Sequence, residues 1–210
     1  MPRKPVSPRF GAQPRRRLGA ALAALLVAAA GTLIHRYLPG LGGEASAPPA
    51  GAGGAYEITG RVVDVADGDT VTLRTAAGPR RIRLDSIDAP EKGHGAAQPG
   101  QPYAEASRKH LAGLVADREL TARCFEADQY GRDVCQLPLA DGSSANRAQV
   151  AAGYAWAYTA RRGAYLRDRD LPALQRQARQ AGLGLWAQPG AIEPWKWRYD
   201  CWRQRQCDTD

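Results

Sequence analysis

At 210 residues the chain fits one well-buried domain of ordinary size with extensions, and its formal net charge of +8 is unevenly spread. Seven Lys/Arg and one acid precede Tyr56, whereas the remaining 155 residues carry 22 Lys/Arg against 20 Asp/Glu. The basicity therefore belongs to a leader, and the composition gives no argument for a nucleic-acid-binding surface on the folded part.

The leader has an ordered plan. Residues 1–17 hold six basic side chains and form a basic, cytoplasmic segment, and "LGAALAALLVAAAGTLI", residues 18–34, follows without a charge. This order is that of a signal-peptide core or a transmembrane anchor. Small residues up to Ala30 suit a signal peptidase, and retention would instead leave a membrane tether. Either outcome places the remainder outside the cytoplasm, secreted or periplasmic. Residues 35–55, rich in Gly, Ala and Pro and without periodicity, read as a flexible linker. Cysteine usage agrees with export: Cys124 with Cys135 and Cys201 with Cys207 are the expected disulfides, and neither spacing is a zinc pattern.

The folded domain is expected over 56–188, followed by a Trp/Arg-rich tail, 189–210. "YEITGRVVDVAD" and "DTVTLRT" predict two strands joined at Asp67-Gly68, and "TAAGPR" turns the chain into a third, Arg80 to Asp88. In that third strand Ile82 and Leu84 alternate with polar residues, but Ile87 falls on the polar parity, so a bulge near Ser86 is predicted. A mobile loop leads to a helix from about Pro102 to Val115, with His110 on its apolar face. "ELTARCFEA" and "DVCQLPLA" predict two more strands. A short helix from Ala145 to Ala152 ends at Gly153, and a last helix begins at the N-cap Asp170 and carries its stripe to Leu185, with Trp186 as core cover. Five strands, with a helix between the third and fourth and two more after the fifth, predict an α+β fold: a five-stranded OB-fold β-barrel with three covering helices.

Three separated segments bring charge to strand ends: "DGDT", "RLDSIDAPE" and "YGR". Asp69 and Asp88 suit a hard cation such as Ca²⁺. Arg83 and Arg132 can clamp a phosphate, and Glu91 is the carboxylate left to activate a water. Together these residues describe phosphodiester hydrolysis. Tyr130 and Tyr158 are candidate substrate contacts through base or sugar stacking, or alternatively rim packing. The tail is expected to be pinned by its disulfide and packed on the barrel.

In order and spelling these motifs resemble the staphylococcal nuclease, or thermonuclease, family. The resemblance runs from Tyr56 to Trp186 and rests on "DGDTV", "RIRLDSIDAPE", "AEAS", "DQYGR", "GYAWAY" and "GLGLW". It implies an OB barrel, Ca²⁺ as cofactor, DNA and RNA as substrates, and products ending in 3′-phosphates. Asp69 and Asp88 look like the metal carboxylates, with Ala89 in place of a residue that ligates through its carbonyl. Arg83, Arg132 and Glu91 look like the catalytic residues. Three positions depart: Ala89 and Gln129 replace a threonine and a lysine, and Asp85 replaces a leucine and is expected to face solvent. The sequence thus predicts an exported, monomeric, Ca²⁺-dependent endonuclease of little sequence specificity. The alternative is a non-catalytic OB module that binds single strands or a protein partner.

Overall fold

The computed structural model describes residues 54–207, so the basic segment, the hydrophobic segment 18–34 and nearly all of the linker lie outside the described residues. In chain order the elements are β1 (Tyr56–Val65), β2 (Thr70–Thr75), β3 (Gly78–Leu84), β4 (Ile87–Asp88), α1 (Ala104–Val115), β5 (Glu119–Ala127), β6 (Asp133–Gln136), α2 (Ala145–Ala151), β7 (Trp156–Ala157), α3 (Leu171–Gln180) and α4 (Pro194–Trp197). Five strands close in the order β1-β2-β3-β6-β5, and β4 pairs with β7 in a separate two-stranded ladder. This is the OB-fold predicted from the element order. Among the described residues no helix is long and apolar enough to cross a membrane.

Closure depends on β1 serving two neighbours. Its first half, Tyr56 to Arg61, pairs with β5, and its second half, Arg61 to Val65, pairs with β2 across an irregularity at Val62/Asp64. Such a shift bends a strand strongly enough to turn a corner of a small barrel. The ring is completed by β3 lying parallel to β6, with Ile82 opposite Asp133 and Leu84 opposite Cys135. Alternation then fills the interior: Val62, Val71, Leu73, Ile82 and Leu84 are inside, with Leu111 and Val115 of α1 and Val150 of α2 packed over them. Cys124 and Cys135 face one another across β5 and β6 and are disulfide-bonded, as are Cys201 and Cys207.

The register slip at Ser86 is a sharp bend. β3 stops at Leu84, and Ser86 takes a left-handed backbone, φ 62°, before β4 leaves in a new direction. Three groups lock it: the Ser86 carbonyl accepts from Tyr158 N–H at 2.8 Å, and its hydroxyl accepts from the N–H of Arg167 and of Asp168. Helix α3, the last one the sequence predicts, is shorter than its apolar stripe suggested. It ends at Gln180 because Gly182 and Gly184 both take positive φ, and Leu185 is instead buried from a 3₁₀ turn, Gly184–Ala187. Asp170 precedes that helix without capping it by its side chain, since its carboxylate is held by Arg147 at 2.9 Å.

Candidate active site

The turn after β1 and the bend after β3 meet at one end of the barrel. Asp67 accepts the Asp69 N–H at 3.0 Å, a local ring that turns the chain into β2 and directs Asp69 inward. Asp69 then accepts from Ala89 N–H at 2.7 Å and from the Thr70 hydroxyl at 3.1 Å. Asp69 and Asp88 are 4% and 1% exposed, so neither charge is tolerable without partners. The partner is Arg83, whose Nη1 pairs with Asp69 and whose Nη2 lies 2.6 Å from Asp88 Oδ1. One guanidinium spanning both carboxylates shows that the two acids face a common point.

A second layer, from α2, holds this arrangement. Gln149, fully buried, donates to the Gly68 carbonyl at 2.5 Å and to the Ser107 carbonyl at 3.2 Å, and pairs through Oε1 with His110. Asn146 accepts from Leu137 N–H and donates to the backbone and side chain of Asp85 at 3.0 Å. A single helix thus ties down both loops that carry the acids.

Asp85 does not face solvent. It is 5% exposed, and its carboxylate accepts from Asn146 and from the Ser86 hydroxyl at 3.0 Å. The bend turns the residue inward, where burial pushes its carboxyl above the ordinary aspartate value. The folded state therefore holds this proton more tightly than the unfolded chain, and the penalty for ionising it grows as pH rises from the unfolded pKa through the folded one. Asp85→Asn is expected to melt above wild type at pH 7.5, with the difference shrinking as the pH falls to 4. Thermal melts across that range check it.

Glu91 follows Pro90 at the mouth of the site. Burial pushes its carboxyl up; the Arg198 guanidinium opposes that push and the Asp88 charge adds to it. Arg198 is the residue that sequence reasoning missed. Its Nη1 pairs with Glu91 and its Nη2 lies 2.8 Å from Asp88 Oδ2, so Asp88 is held from both sides.

Other predicted residues lie outside this cluster of contacts. Arg132 directly precedes β6, whose Val134 is opposite Arg83, so Arg132 lies in the turn two residues before the position facing Arg83. Its guanidinium pairs with Asp128 at 2.7 Å and covers the Tyr130 ring at 5.5 Å. Burial opposes ionisation of Asp128, but bonds from Arg132 outweigh it and hold the carboxyl below its usual range. Tyr130 is 69% exposed. Tyr158 is half-buried, stacked on Tyr165 and meeting Trp195 edge-on at 5.4 Å.

Among the described residues no three His, Cys, Asp or Glu side chains form a ready metal cluster. The donor set is nonetheless of the kind a hard cation takes: two buried carboxylates facing one point, which waters and backbone carbonyls would complete. Residues 81–188 match the family described as staphylococcal nuclease homologue. The chain is also 41% identical over 143 residues to an uncharacterized endonuclease of Escherichia coli O157:H7, a match covering 68% of this chain and 86% of that protein. The chain belongs to the staphylococcal nuclease family. It is 35% identical over 150 residues to a micrococcal nuclease of Shigella flexneri, covering 68% of this chain and 81% of the other. An uncharacterized endonuclease of Haemophilus influenzae is 34% identical over 141 residues, with 67% and 72% covered.

Proposed function

We propose that the protein is an exported, Ca²⁺-dependent endonuclease that hydrolyses phosphodiester bonds of DNA and RNA with little sequence preference, leaving 3′-phosphates. The convergence of Asp69, Arg83, Asp88 and Glu91 carries this reading. Asp69, Asp88 and the Ala89 carbonyl would hold the cation, which when bound supplies positive charge beside a phosphate oxygen. Arg83, drawn off the carboxylates, and Arg132, drawn off Asp128, would bind the phosphate through their planar forks and meet charge that grows on its oxygens. Glu91 accepts a proton from the water that attacks in line. Tyr130, being exposed, offers its ring face to a base, and Tyr158 lines the same side as the tail. Export is supported by the basic-apolar order of residues 1–34 and by two disulfides, which persist outside the cytoplasm.

The test uses the purified chain with end-labelled single-stranded DNA and RNA, in Ca²⁺ and in excess EGTA. Cleavage of both in Ca²⁺ and of neither in EGTA is expected, with phosphatase removing a terminal phosphate from the upstream product. Undiminished cleavage in EGTA would exclude the cation. Binding without cleavage in Ca²⁺ would favour a binding module instead.

A further inference from the structure

The C-terminal tail is built into the mouth of the site. Trp197 and Trp202 both donate their indole N–H to the Pro99 carbonyl, at 3.2 and 2.9 Å. Gln101 donates to the Ile192 carbonyl and Arg205 to the Ala97 carbonyl, while Trp202 meets the His94 ring at 5.9 Å. Cys201 and Trp197 are buried, and the Cys201–Cys207 bond closes the end of the tail on itself. These contacts fasten the tail to the loop that follows Glu91, and they fix Arg198 between Asp88 and Glu91.

Three acids, Asp69, Asp88 and Glu91, are thus faced by two guanidinium groups, Arg83 and Arg198. A divalent cation taking oxygens of Asp69 and Asp88 competes with both arginines for the same lone pairs. Glu91 meets Arg198 through Oε1, so losing that contact frees its whole carboxylate to accept a proton from water. Each displaced guanidinium remains close to the reacting centre with its donors unpaired, in a site that now carries excess positive charge. A phosphodiester anion is the acceptor that restores the balance, and a planar fork binds two of its oxygens at once.

We propose that Arg198 is a substrate-binding residue of the active site: it rests on Asp88 and Glu91 until a divalent cation takes the carboxylates, and then binds a phosphate of the nucleic acid. The proposal rests on the calcium-nuclease reading and adds a third arginine, carried by the tail, to Arg83 and Arg132.

The experiment compares the purified wild-type chain with Arg198→Gln and Arg198→Lys. Calorimetry measures Ca²⁺ binding, then binding of a nucleoside 3′,5′-bisphosphate at saturating Ca²⁺, and kcat and KM are measured on labelled single-stranded DNA. Arg198→Gln is expected to weaken bisphosphate binding at least tenfold and to raise KM, with Ca²⁺ affinity unchanged or higher because one competing cation is gone. Arg198→Lys, keeping charge but not the fork, should fall between. Unchanged bisphosphate affinity would overturn the proposal, as would a rise in kcat/KM, which would make the tail a plug. A parallel loss of Ca²⁺ affinity would also overturn it, showing a scaffold for the carboxylates. Wild type that neither binds Ca²⁺ nor cuts would overturn the calcium-nuclease reading and this proposal together, whereas an active, Ca²⁺-dependent wild type matched by Arg198→Gln would overturn this proposal alone.

Discussion

Glu91→Gln is expected to lower kcat by about 10²- to 10⁴-fold, the range for removing a positioned proton acceptor, while leaving the melting temperature close to wild type. The amide keeps the size of the side chain and an oxygen that can still accept from Arg198, so the contacts at the mouth survive. Only the ability to take a proton is lost. The pH profile separates this role from a structural one. Wild-type activity should fall on the acid side as the Glu91 carboxylate takes up a proton. The residual activity of Glu91→Gln should lack that acid limb. A variant with wild-type kcat, or one that retains the limb, would remove Glu91 from the chemistry.

Much of this site was legible because the barrel imposes a local rule that sequence obeys. Alternation of apolar and polar residues marks β3, and its failure at Ile87 marks the bend that sends Asp88 and Glu91 into the cleft. Asp67-Gly68 marks the other turn for the same kind of reason, a short polar side chain closing a ring with its own backbone. Asp85 was misplaced because whether a carboxylate is buried depends on who can donate to it. Its donor Asn146 lies 61 residues further along the chain. Arg198 was invisible for a stronger version of that reason. Its partners are 107 and 110 residues away, and no periodicity links a Trp-rich tail to the bend of a barrel strand. Arg132 was singled out by its motif, but the motif does not reveal that Asp128 would hold its guanidinium in the turn.

Gly68→Ala is expected to destabilise the protein by about 3 kcal/mol and to abolish most activity, although the residue carries no functional group. A Cβ at Gly68 would stand 1.8 Å from Ser107 Oγ and 2.7 Å from the Ala89 Cβ. Neither neighbour can yield easily. Ser107 is fully buried in α1 and donates to the Tyr154 carbonyl at 2.7 Å, and Ala89 is tied by its N–H to Asp69. Relief must come from the Asp67–Asp69 turn, which would move the Gly68 carbonyl off Gln149 and shift Asp69 relative to Asp88. Stability and cation binding should therefore fall together, read by denaturant melts and Ca²⁺ calorimetry. Ser107→Gly removes the nearest clash and leaves that with the Ala89 Cβ, at a cost of about 1 kcal/mol for glycine within a helix and about 1 kcal/mol more for the lost hydrogen bond to Tyr154. In that background, adding Gly68→Ala should cost much less than it does in wild type. Equal costs in the two backgrounds would show that the turn does not depend on the close approach of Gly68 to α1.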